Sequence, residues 1–130
     1  MDALQALLGA KPATEITNQV KIKRLGTEFT IKALTGEDID KIRDQATGPM
    51  KNGKKIEMKV NEEEVARLLI VKSVVEPSFS SPQLLEHFGA SDAGECVQKA
   101  LLAGEIATLQ NEILMLSGFN DEEEIEEVKN

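Results

Sequence analysis

Two runs of alternating residues meet at Gly26. On one side Val20 and Ile22 alternate with Lys21 and Lys23; on the other Phe29, Ile31 and Ala33 alternate with Thr30 and Lys32. A period of two interrupted by glycine predicts a β-hairpin, with one apolar face and one largely cationic face. At Leu34 the spacing changes: Ile39, Ile42 and Ala46 recur at three and four residues, a narrow helical stripe. Thr35 stands where a helix wants an N-cap, and Asp38 falls at the third helical position, the second member of a capping box. Leu34 and Ile39 occupy the two positions of a hydrophobic staple, while Glu37 and Asp38 favour the positive end of the helix dipole. The stretch TGED is therefore a helix start rather than a ligand loop.

The same reading extends along the chain. Asp2 to Leu8 predicts a short amphipathic helix stopped by Gly9 and Pro12. Residues Thr47 to Lys55, TGPMKNGKK, read as an exposed loop, and Ile56, Met58 and Val60 as a strand that is a candidate to join the hairpin. Asn61 then caps a helix whose Val65 to Val75 portion is apolar on nearly all sides, hence central; Pro77 ends it. Ser81 and Pro82 open a short helix carrying Leu84, Leu85 and Phe88, closed by Gly89. Ser91 or Asp92 caps a last, long helix running to about Ser117. Along it Leu102, Ile106, Leu109, Ile113 and Leu116 alternate at four and three, the seam of helix pairing. These elements predict an α+β fold: a small antiparallel sheet over 18–34 packed on a mainly helical body. They make one globular domain, 1–119, followed by an acidic tail, 120–130.

Charge sharpens that boundary. Of the formal net charge of −8, residues 121–130 carry −5, from six acids and Lys129, leaving a nearly balanced body. An acidic chain repels phosphate backbones, and with four Phe and no Trp or Tyr it is poorly equipped to stack bases; nucleic-acid binding is disfavoured. No apolar run approaches the ~20 residues that span a bilayer, so no membrane partner is expected. The start, MDALQALLGAK, lacks the basic region of a secretory signal. The one cysteine, Cys96, excludes an internal disulfide and fits a reducing compartment. Residence in the cytoplasm is expected.

Candidate chemistry is sparse. His87, the only histidine, sits in LLEHFG without a partner motif, which reads as a surface or packing residue. Cys96 lies near a helix start, where a thiol pKa can fall. Without a local Cys-His signature it reads better as a small buried hydrophobe. Glu62 to Glu64 serve a helix N-terminus. NDEEEIEEVKN lacks the spacing of a calcium loop and reads as a solvated tail dispensable for folding, while GAKPAT and TGPMKNGKK lack that of a phosphate loop. No catalytic residue, cofactor or metal site is expected.

Taken in order, MDALQALL, VKIKRLGTEFTIKALTGEDIDKIRDQAT, SPQLLEHFG and LLAGEIATLQNEILMLSGF resemble the tail assembly chaperones of long-tailed phages and defective prophages of Gram-positive bacteria. The resemblance runs from about Met1 to Phe119. It implies a non-enzymatic protein that binds the tape measure protein, helps load tail tube subunits around it, and is absent from the finished particle. It also implies a short and a longer form made by ribosomal slippage, for which Val128-Lys129-Asn130 would have to be encoded by a slippery heptamer. The competing class is a small cytoplasmic protein-interaction adaptor of a phage or host regulatory system.

The residues fit a holdase. Leu101 and Met115 lie two heptads apart and would share one face of a continuous last helix, turned away from the stripe of Leu102, Ile106 and Leu109. One face must be core and the other is free to receive an amphipathic helix of the client. The candidate partner-binding residues are Leu101, Leu102, Ile106, Leu109, Ile113 and Met115. Burial of the whole helix in the monomer is the competing reading, and self-association is open to such a surface.

Overall fold

The computed structural model describes residues 2–119; the expected acidic tail, 120–130, lies outside them. The alternation around Gly26 becomes strands β1 (Thr17–Ile22) and β2 (Thr27–Lys32), antiparallel, with Val20 opposite Phe29. Gly26 closes the connecting turn at φ 66°, a left-handed conformation that would cost a residue with a β-carbon about 1–2 kcal/mol. Val20, Ile22, Phe29 and Ile31 are buried, and Lys21 on the other face is exposed. Helix α1 (Ala3–Leu8) precedes the hairpin, capped by Asp2 and ended at Gly9, with its leucines exposed.

Thr35 caps α2 (Gly36–Gln45). Its hydroxyl accepts from the Asp38 N–H at 3.2 Å, and the Asp38 carboxylate accepts from the Thr35 N–H at 3.0 Å. That second bond holds the Asp38 carboxyl below its usual range. Leu34 and Ile39 are both buried, completing the staple.

Residues 47–55 are not a loop. β3 (Thr47–Asn52) pairs antiparallel with β4 (Lys55–Val60) in a separate two-stranded sheet, so 56–60 does not join the first hairpin. The strand that does join is β5 (Val74–Glu76), antiparallel to β2, giving the order β1-β2-β5. Helix α3 (Glu62–Ser73), capped by Asn61, therefore stops earlier than its apolar pattern. The free edge of β2 captures the next residues, and the buried Ser73 hydroxyl donates to the Lys32 carbonyl at 2.6 Å.

Helix α4 (Pro82–Phe88) follows the pattern and closes at Gly89. The expected long helix does not. It is two helices, α5 (Ala93–Ala100) and α6 (Ala103–Leu116), parted at Leu101 and Leu102. A new helix starts there because the Glu105 carboxylate accepts the Leu102 N–H at 2.8 Å, satisfying a donor that a continuous helix would have paired internally. Helices α3, α5 and α6 pack together, and α6 also backs the β1–β2 sheet. Val65, Leu69, Ile70, Val97, Leu109 and Ile113 are fully buried between them. Each such side chain contributes about 1.5–3 kcal/mol by leaving water. Ser117 ties the end of α6 to the sheet: its hydroxyl accepts from the Leu34 N–H at 2.9 Å and donates to the Ile113 carbonyl at 2.6 Å.

Candidate partner-binding surface

The helix break disperses the six candidate residues. Leu101 precedes α6 and is 6% exposed, whereas Leu102, at the N-cap, is 58% exposed. Met115 is 51% exposed near the other end of α6, roughly 20 Å away at 1.5 Å per residue. The two-heptad relation between Leu101 and Met115 therefore fails, because no continuous helix connects them. Leu109 and Ile113 are fully buried against the rest of the core, so the seam is largely interior. Ile106 is half-buried. What remains accessible of the candidate set is Leu102, part of Ile106, and Met115.

Two hollows flank the break. One, of about 330 Å³, is lined by Ala66, Arg67, Gln98, Leu101, Ala103 and Ile106. The other, of about 470 Å³, lies between Lys21, Lys23, Arg24, Leu102 and Thr108. Arg24 fixes the geometry between them. Its Nε donates to Glu105 Oε2 at 2.9 Å, and its Nη2 donates to Glu105 Oε1 at 2.7 Å and to the Ala100 carbonyl at 3.1 Å. The guanidinium, and then the Leu102 N–H, hold the Glu105 carboxyl below its usual range. A two-point pair of this kind orients as well as attracts. It locks the turn of the first hairpin onto the α5–α6 junction, an arrangement that no local signal around Arg24 announces.

The other singled-out residues take structural positions. His87 is exposed on α4, with its ring edge-on to Phe88 at 4.8 Å. Cys96 is fully buried, and burial pushes its thiol pKa up, the opposite of activation. Glu95 is drawn down to about 2 by the Ser91 hydroxyl and then by Lys99, contacts that organise the start of α5. Among the described residues no cluster of three or more His, Cys, Asp or Glu side chains is placed to hold a metal.

The β3–β4 hairpin was not among the candidates. From Pro49 to Lys59 every residue is exposed, including Met50, Ile56 (74%) and Met58 (67%). The hairpin is thus an arm projecting from the body. Its signal was present in the sequence: Gly53-Lys54 is the Gly-X pair of a two-residue type II′ hairpin loop.

A small α+β scaffold that leaves large apolar side chains uncovered has the make-up of a protein that binds other proteins. The family model for the phage XkdN-like tail assembly chaperone protein matches residues 4–129, and the chain belongs to that family. Its class is a tail assembly chaperone, a non-enzymatic role. Among solved structures, the crystal structure of the protein yqbn, a Northeast Structural Genomics Consortium target, is similar with a TM-score of 0.65 and 20% identity. The match covers 92% of this chain and 98% of that one. At that identity the likeness establishes a common fold. No curated protein matches.

Proposed function

We propose that this chaperone acts in the host cytoplasm by binding the tape measure protein, keeping it soluble while tail tube subunits assemble around it, and leaving before the particle is complete. The observation that carries the reading is the family match across 4–129, to which the structure adds accessible apolar side chains on an otherwise charged protein. A client that exposes apolar segments presents surface that water penalises, and partial cover by a small partner offsets that cost. Leu102, Ile106 and Met115 remain candidate contacts at the two ends of α6; Leu101, Leu109 and Ile113 support them from the core. The charge of −5 over residues 121–130 adds repulsion between chaperone–client complexes. Co-expression of the tagged chain with its cognate tape measure protein, followed by affinity capture, tests the reading. The tape measure protein should be retained, and failure to retain it from a soluble lysate overturns the proposal.

A further inference from the structure

The arm is the most conspicuous part of the molecule without a partner. A two-stranded hairpin is marginally stable by itself in water, and here Pro49 to Lys59 pack against nothing in the described chain that would bury them. Its charge is also unlike that of the rest. Lys51, Lys54, Lys55 and Lys59 against Glu57 give residues 47–60 a charge of +3, on a chain whose total is −8. Everything outside the arm therefore carries −11. An acidic segment is repelled by the body and attracted by the arm.

The main chain narrows the mode of contact. Asn52 pairs with Lys55 across the two-residue loop Gly53-Lys54, and Gly53 has φ 66° at the position a type II′ turn reserves for glycine. The pair closing such a loop exchanges hydrogen bonds, and the pairs beyond it alternate. Lys51/Ile56 and Pro49/Met58 are consequently pairs whose main-chain groups point outward. Pro49 fits this register, since its missing N–H belongs on the outer edge. Proline blunts the β3 edge. The β4 edge stays open, with the N–H and C=O groups of Ile56 and Met58 directed away from β3 and their side chains on one face. Lys55, Glu57 and Lys59 lie on the other face, where Lys59 leans toward Glu57 at 3.7 Å.

We propose that the β4 edge of this arm captures the client as an added strand, and that the segment captured is extended, with apolar residues alternating with acidic ones. The apolar residues lie beside Ile56 and Met58, and the acids lie beside the lysines. Met58, flexible and polarisable, suits a surface that accepts several such segments in turn. The inference rests on the proposed binding of the tape measure protein and names the surface and the chemistry of that contact.

The test uses overlapping 20-residue peptides spanning the tape measure protein, with the full-length wild-type chaperone and two variants. Lys51→Glu/Lys55→Glu/Lys59→Glu reverses the charge of the arm. Met58→Pro removes an outward N–H while leaving the β3–β4 ladder its own bonds. The far-UV circular dichroism and Tm of each variant, compared with the wild type, establish that the body is folded. Retained peptides should be net acidic with apolar alternation. Their capture should fall about tenfold in the charge-reversed variant and as 0.1 M salt is raised to 1 M, and also in Met58→Pro. Unchanged capture by both variants, or retention of basic peptides, overturns the inference while leaving tape measure binding intact. A dimer in sedimentation that Met58→Pro dissolves would assign the edge to a second copy and overturn it too. If neither the peptides nor the whole tape measure protein bind the wild type, the underlying reading fails and takes this one with it.

Discussion

Glu105 gives one carboxylate to two tasks, accepting the first free N–H of α6 and pairing with Arg24 from the hairpin turn. Its pKa is lowered, so the folded state favours the ionised form. The associated stability is fully present above the ordinary glutamate pKa of about 4.3 and is lost as pH falls through the lowered value. Glu105→Gln should therefore lower the Tm at pH 7, and the gap to the wild type should close on acidification below about pH 4; a gap independent of pH would show that it does not arise from the ionised carboxylate. A second contrast separates core from surface within the candidate residues. Leu109→Ala should cost about 2–5 kcal/mol by leaving a cavity between α3 and α6. Met115→Glu should stay within about 0.5 kcal/mol, because its side chain already meets water. Chemical denaturation of the two variants measures both, and Met115→Glu, unlike Leu109→Ala, can then be used to test binding.

Among the elements, stability should be uneven. Amides of α3 and α6, whose inner faces are fully buried, should exchange with solvent only on global opening. Those of β3 and β4 should exchange orders of magnitude faster, through local opening of a sheet that buries almost nothing. Hydrogen exchange followed by mass spectrometry checks this, and equal protection of arm and core would mean that the arm is covered in solution. The same contrast explains what could be read from the chain. The first hairpin, α2 with its capping box, and α4 were legible because each combines periodicity with a terminal residue of defined geometry. β4 was legible from the alternation of Ile56, Met58 and Val60, but β3 was hidden because TGPMKNGKK has turn-forming composition and its strand pairs without a buried face. β5 was hidden because Val74 and Val75 continue the apolar pattern of α3, and only the open edge of β2 makes them a strand. The α5–α6 break did have a mark, Glu105 three residues after Leu102, but the seam of leucines and isoleucines ran through it. That error placed Leu101 on a surface it does not occupy.

In the molecule as a whole, the buried core and the cationic arm are separate. The core gathers around α3, α5 and α6, whereas the exposed Met50, Ile56 and Met58 sit on the arm; Leu4, Leu7 and Leu8 of α1, with Leu102 and Met115 at the ends of α6, are further exposed apolar side chains on the body. Such a division lets a small protein present a client-binding surface without weakening its own fold. It accords with membership of a tail assembly chaperone family. The candidate α6 contacts and the arm are both accessible, and a long client has length enough to meet more than one of them. The central claim is that the tape measure protein depends on this chain for solubility. It is tested most directly by expressing the tape measure protein alone and together with the chaperone, then measuring its share in the supernatant after centrifugation. The account predicts that it pellets alone and moves to the supernatant, bound to the chaperone, on co-expression; an unchanged share in the pellet, or equal solubility without the chaperone, would contradict it.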